Sequence, residues 1–252
     1  MGRRPEGEGH VTEPGFFVQV AEWFTDPANW SGSFGIPKRF VEHIQISAIS
    51  VGVAALIALP AAMNIGHRRR FEFLVVSIAN LGRAIPSFGL LFLFVILLGI
   101  GEEAIILAMI LLAIPPILTN AYVGIQGVDA DTLEAARGMG MSEAGVLMRI
   151  ELPLAAPVIV AGLRTAAVQV VATATLAAVV GGGGLGRYIS DGFAGGDRPQ
   201  IFAGALLVAL LAIATELAFA LFQRLVTPRT TSRAPARPGR GEAPEPVPGP
   251  AA

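Results

Sequence analysis

The chain has 252 residues, 53% of them hydrophobic and only 15% charged, where a soluble domain of this size carries about a quarter charged residues. A net charge of −1 argues against nucleic acid as a main partner, and the absence of cysteine removes disulfides and thiolate metal sites. The three histidines (His10, His43, His67) lie far apart in sequence, which argues against a histidine metal centre, and the long uncharged runs point to a polytopic membrane protein.

The first ten residues, MGRRPEGEGH, carry Arg3 and Arg4 like the start of a signal peptide. No apolar stretch follows them, because Glu6, Glu8 and Glu13 intervene, so that reading fails. Residues 1–40 are read as an extracytoplasmic segment. Both tryptophans lie here, and residues 15–25 are weakly amphipathic. An interfacial helix and a loose leader both fit.

Five apolar runs follow, at about 44–66, 71–100, 104–128, 158–180 and 201–222. The run 71–100 is long for one helix and contains Arg83 and Pro86. A kinked helix fits it, with two short helices as the alternative. The run 104–128 is interrupted by Pro115 and Pro116. HRRR (67–70), the polar insert 129–157 and the arginine-rich tail all fall on one face of a five-helix arrangement. Lys and Arg concentrate on the cytoplasmic side. The expected topology is therefore N-terminus outside and C-terminus inside. Lys38 and Arg39 sit on the wrong side for this rule. Residues 41–225 form the transmembrane domain, and 226–252 read as a disordered cytoplasmic tail.

The insert has its own pattern. Asp131 and Glu134 have capping-box spacing, opening a short helix over 132–137. Gly138 and Gly140 predict a tight turn. Ser142 is an N-cap for a second helix over 143–150, and Pro153 and Pro157 set the entry to the fourth span. Ala135 and Ala136 offer a small surface that lets a partner approach. The residues alone leave two readings open, a docking element and an ordinary surface hairpin.

The insert also resembles a known loop. Glu134-Ala135-Ala136, three residues, Gly140, nine residues, Ile150, one residue, Leu152-Pro153 matches the signature of ABC importer inner-membrane permeases without a gap. The resemblance implies an all-α integral membrane protein with the five-core-helix type-1 importer fold. It further implies that Glu134 to Gly140 form a coupling helix seated in a cytoplasmic ABC ATPase dimer. ATP and Mg would then be used by that partner and not by this chain, which would bind no cofactor and no metal. A second permease chain, identical or paralogous, and an extracytoplasmic substrate-binding protein are implied as well.

The stretches 79–91 (ANLGRAIPSFGLL), 115–141, 161–189 and 224–228 (RLVTP) are similar to permeases for glycine betaine, choline, carnitine or proline betaine. Arg83-Ala84 stands where many of these have Gln-Thr, and Arg there also resembles methionine permeases. An importer of methionine or another small solute is the alternative reading. A membrane-embedded enzyme is remote, because no catalytic cluster occurs in the spans. A passive channel is remote too, because it has no use for a coupling loop.

Charged side chains inside spans are costly and default to paired or functional roles. Arg164 and Glu216 lie at matching depths in the fourth and fifth runs and are expected to pair; separate snorkelling is the alternative. Thr165, Gln169 and Thr173 share one helical face that either lines a pathway or bonds to a neighbouring helix. Gly181 to Gly184 with Gly186 lack the Lys-Ser/Thr of a phosphate loop. The connection 181–200 is read as a loop, with Gly183 and Gly184 either in a flexible, closely packed turn at the outer gate or in a plain loop. Quaternary ammonium groups favour aromatic cages. Beyond phenylalanine, Tyr122 is almost the sole aromatic in the spans, so tight recognition is expected on the separate binding protein.

Overall fold

A computed structural model describes residues 15–227. The N-terminal residues 1–14 and the tail from 228 onward, where a disordered segment is expected, lie outside the described residues. The elements in order are α1 (Phe16–Thr25), a 3-10 turn (Pro27–Trp30), α2 (Ile36–Arg68), α3 (Glu72–Ala84), α4 (Ser87–Leu98) and α5 (Glu102–Gln126). They continue with α6 (Ala130–Gly138), α7 (Glu143–Val146), a π segment (Leu147–Glu151) and α8 (Leu152–Thr173). A 3-10 segment (Ala174–Val180), α9 (Gly186–Gly195) and α10 (Arg198–Val226) complete the order.

Among the described residues, four helical runs are long and apolar enough to cross a membrane: Ile36–Arg68, Glu102–Gln126, Glu143–Val180 and Arg198–Val226. The α3–α4 pair, bent by 89°, makes a fifth span if counted as one. The break falls at Ile85-Pro86, where proline removes a helical donor and pushes the preceding residue toward extended backbone. Ile85 is extended. The alternative of two short helices is therefore the one adopted for 71–100.

The bundle is built on small residues. Ala54, Ala58 and Ala62 recur every four residues on α2 and are at most 1% exposed. They join one core with Ala108, Ala113 and Ala121 of α5 and with Ala155, Ala166 and Val170 of α8. In a bilayer, helices associate through such close backbone approach, since lipid offers no hydrophobic contrast. Gly82 of α3 is pressed so tightly on Pro115 of α5 that a methyl group there would overlap the ring. By contrast α10 fully buries only Ala203, Gly204, Val208 and Leu211, while Leu206, Leu210, Ile213, Leu217 and Leu221 are exposed.

Several boundaries differ from the sequence expectation. α5 runs unbroken through Pro115 and Pro116. Packing against α2 and α8 holds it, and Asn120 donates to the Pro116 carbonyl at 2.8 Å. α2 starts at Ile36, so Lys38 and Arg39 are helical; they form ion pairs with Glu42 at 3.8 and 2.9 Å. One carboxylate thus offsets part of the positive charge carried by the two side chains. The glycine-rich connection read as a loop contains the helix α9. α1 is a helix packed on α10 rather than a loose leader: Phe16 meets Phe202 edge-on, and Trp23 meets Tyr188 of α9.

Candidate functional site: the polar insert and the pathway behind it

The insert folds as two helices about a glycine turn, with its own small core. Val128, Leu133, Ala136 and Val146 are buried together, with Met141 and Ile150 packed on them. The cap of α6 is Asp129, not Asp131: its side chain accepts from the Thr132 N–H at 3.0 Å, and Asp131 sits in the first turn. The helix therefore starts two residues earlier than the capping-box spacing implies. Gly140 adopts φ +83°, and the N–H groups of Met139 and Gly140 return to the carbonyls of Ala135 and Arg137. This left-handed position is one that glycine occupies without a Cβ penalty. Ser142 caps α7 by accepting from the Gly145 N–H at 3.3 Å.

Pro153 does not end the second helix. The chain passes from α7 through the π segment 147–151 straight into α8. A proline at 153 lacks its N–H and crowds the carbonyl four residues back. A widened π turn just before it absorbs both defects. The consequence is mechanical. The second half of the insert and the fourth apolar run are one continuous helical rod, whose α-helical part begins at Leu152, before the apolar run at 158.

The motif residues divide into two sets. Glu134, Ala135, Gly140 and Pro153 are exposed, while Ala136 is 2% exposed and Ile150 and Leu152 are half-buried. Ala136 thus closes the insert's core, and Ala135 alone offers the small outward surface expected of the pair. Met139 stands out at 79% exposure. It was missed in the sequence because a methionine between two glycines carries no pattern of its own.

A charged chain fastens the insert to α2. Arg137 donates to both carboxylate oxygens of Glu143, at 2.9 and 3.0 Å, and this pairing holds its guanidinium above the ordinary value. Glu143 lies 3.2 Å from His67 Nε2, and His67 Nδ1 lies 2.6 Å from Glu151. Glu151 is 2% exposed. Both ring nitrogens of His67 thus face a carboxylate oxygen of the insert. No sequence spacing links His67 to Glu151, 84 positions apart.

At the opposite end of the bundle, Gly184 has φ +87°, and a Cβ there would meet His43 Nδ1 at 3.0 Å. The Gly184 N–H donates to Glu42 at 3.0 Å, and the Leu185 N–H donates to His43 Nδ1 at 3.3 Å. His43 Nε2 lies 2.9 Å from the Val171 carbonyl, so the ring carries its hydrogen on Nε2. Gly183 packs on the Glu42 carboxylate. Gly183 and Gly184 are thus closely packed on Glu42 and His43, and the turn is pinned there by the Gly184 and Leu185 N–H groups. Nearby, burial pushes the Tyr188 hydroxyl up to about 12; it donates to the Phe34 carbonyl at 2.6 Å.

Between the two ends lies a cavity of about 450 Å³ against α3, α5 and α8. Its polar lining comes from Ser87, Thr119, Asn120, Thr165 and Gln169. The hydroxyl of Thr119 is buried without a hydrogen-bond partner among the described residues. Gln169 and Thr165 reach this cavity, and Thr173 does not line it. The helix gives way to 3-10 geometry at Ala174, so the shared face ends about there. Arg164 is ion-paired with Glu216 of α10. Its second contact is Gln223, at 3.5 Å, and Gln223 in turn donates to the Pro157 carbonyl at 3.0 Å. The side chain of Arg83 lies outside what is described. No group of three or more potential metal ligands occurs among the described residues.

This bundle, a continuous rod joining an exposed helix–glycine–helix element to a span, is the architecture of a membrane permease. Residues 51–232 match the family described as binding-protein-dependent transport system inner membrane component, and the chain belongs to that family. It is 39% identical over 192 residues to the choline transport system permease protein OpuBB of Bacillus subtilis, covering 76% of this chain and 88% of that protein. It is 37% identical to the glycine betaine/carnitine/choline transport system permease protein OpuCB of the same organism, covering 75% and 87%. To the osmoprotectant import permease protein OsmW of Salmonella typhimurium it is 34% identical, covering 75% and 90%. Among solved structures, an inward-facing conformation of the MetNI methionine ABC transporter superposes with a TM-score of 0.68 at 23% identity, covering 81% of this chain and all of that one. That likeness establishes the five-core-helix fold.

Proposed function

We propose that this chain is the transmembrane permease subunit of an ATP-driven importer for quaternary-amine osmoprotectants such as glycine betaine, choline or carnitine. The observation that carries the reading is the 34–39% identity over three quarters of the chain to permeases named for choline, for glycine betaine, carnitine and choline, or for osmoprotectants. The methionine transporter shares the fold at 23% identity, which says nothing of solute. The chain works as a multi-pass component of the bacterial inner membrane, with the polar insert and C-terminus cytoplasmic and the glycine turn outside.

In this reading ATP is hydrolysed, with Mg, on a separate ABC ATPase dimer. Glu134, Ala135, Met139 and Gly140 present the surface that docks in its groove. Methionine suits such a contact because it is apolar and adaptable. Movement of the insert passes directly into the fourth span, because the two are one rod. The solute crosses by alternating access along the face of Ser87, Asn120, Thr165 and Gln169. Two permease chains complete the path, one for each groove of the ATPase dimer, and an extracytoplasmic binding protein delivers the solute. The cavity offers hydroxyls and amides and no aromatic cage, in keeping with a path that releases its solute rather than retaining it.

The test is uptake of labelled glycine betaine, choline, carnitine and methionine by vesicles containing the assembled transporter. Uptake of quaternary amines with ATP, abolished by Glu134→Lys, is the expected result. Uptake of methionine alone would overturn the solute assignment, and ATP-independent uptake would overturn the mechanism.

A further inference from the structure

α2 touches both functional ends of the molecule, and each contact is made by a histidine. At one end, His67 lies between Glu143 of α7 and Glu151 of the π segment, 3.2 and 2.6 Å away. At the other end, 24 residues earlier, His43 and Glu42 hold the backbone N–H groups of Leu185 and Gly184. At about 1.5 Å per residue the two contacts are about 36 Å apart along the helix, roughly the thickness of a bilayer's hydrocarbon core. The Ala54, Ala58 and Ala62 stripe is buried in the core that α2 shares with α5. α2 is therefore held along its length and fastened at its ends.

We propose that His67 is a positioning residue that clamps the insert to α2, so that displacement of the insert is carried along α2 to the glycine turn. Two routes then leave the insert, one through the α8 rod and one through α2. The proposal rests on the reading of 134–153 as the ATPase-docking element. Glu151 is buried, and His67 is its one hydrogen-bond or ion-pair partner among the described residues. Glu143 has a second partner in Arg137 of α6, so the clamp spans three parts of the insert. Coupling between distant sites travels through elements of this sort, packed and fastened at both ends, and it requires direct measurement.

The experiment uses the complete transporter in lipid vesicles and reads both the ATPase rate and the solute moved per ATP. His67→Ala is expected to retain ATP hydrolysis and to lose at least tenfold in solute moved per ATP. The native chain has no cysteine, so His67→Cys with Glu143→Cys gives a pair that a short thiol cross-linker can join. The reduced pair is expected to be uncoupled, and cross-linking is expected to restore the ratio to within about threefold of wild type. A wild-type ratio in His67→Ala, or a block of transport by the cross-link, overturns the clamp. If His67→Ala does not assemble, His67→Gln decides; it keeps a donor for Glu151 and gives up the Glu143 contact. A fall in its ratio supports the clamp, and an unchanged ratio overturns it. Glu134→Lys separates the two claims. If that variant still transports and still co-purifies with the ATPase, the docking reading fails. If it is inactive while His67→Ala stays coupled, only the clamp fails.

Discussion

The Arg164–Glu216 pair gives the sharpest energetic prediction. Arg164 lies twelve residues into α8 from Leu152, and Glu216 lies ten residues before the end of α10 at Val226. At about 1.5 Å per residue the two positions lie ~18 and ~15 Å along their helices from those ends, at matching heights inside the apolar runs. A charge left alone at the centre of a span costs about 2.5–3.5 kcal/mol, which bounds the effect here. Arg164→Leu strands Glu216 and is expected to destabilise the permease by about 3 kcal/mol, on the order of 100-fold in the folded-to-unfolded ratio. Glu216→Leu is milder, about 1–2 kcal/mol, because the guanidinium keeps Gln223 and its long stem can snorkel. The double leucine variant is expected within about 1 kcal/mol of wild type, since replacing both members of a pair removes the stranded charge. The assay is a double-mutant cycle of unfolding in mixed micelles. A coupling of at least about 1.5 kcal/mol is expected. Additive single effects, within about 0.5 kcal/mol, would refute the reasoning and return the two side chains to separate snorkelling.

Three further outcomes follow from contacts elsewhere. Gly184 and Gly196 both have positive φ (+87° and +70°), but of the two only Gly184 faces a side chain, that of His43. Gly196→Ala should cost only the left-handed penalty of about 1–2 kcal/mol, and Gly184→Ala distinctly more, read as the difference in thermal midpoint of the purified permease. Gly82→Ala should impair assembly, read by size exclusion in detergent, because the added methyl overlaps the rigid ring of Pro115. Tyr188 is held protonated by burial to about pH 12, against about 10 in the unfolded chain. Its contribution to stability is then complete below pH ~10 and lost as the pH rises toward ~12. Tyrosinate absorbance should show this late titration, and Tyr188→Phe should remove it; ionisation of both tyrosines near pH 10 would contradict the buried Phe34 contact.

How much was legible in the sequence follows from how each signal arises. Hydropathy marks spans by length alone, so the apolar runs were found. Prolines mislead in both directions because their effect depends on surroundings. Pro86 breaks its helix, where the Ile85 backbone turns extended. Pro115 and Pro116 do not: α5, packed between α2 and α8, continues through both. Pro153 is absorbed by a π turn that no residue pattern announces. Capping by Asp129 and not Asp131 is a choice between two similar residues, settled by which one the preceding turn leaves outside the helix.

The sequence by itself determined the class of protein: uncharged runs long enough to span a bilayer, and a gapless Glu-Ala-Ala…Gly…Ile-x-Leu-Pro pattern with local chemistry for a helix, a left-handed turn and a second helix. These are properties of neighbouring residues, and local sterics and hydropathy suffice to express them. The tertiary structure alone decided what the pattern is attached to. His67 meets Glu151 across 84 positions, and Gly184 meets Glu42 across 142. Such contacts depend on where whole helices come to rest, a matter of packing volumes summed over the bundle. Only there does the insert become one rod with its span, fastened by a histidine to the helix whose other end holds the glycine turn.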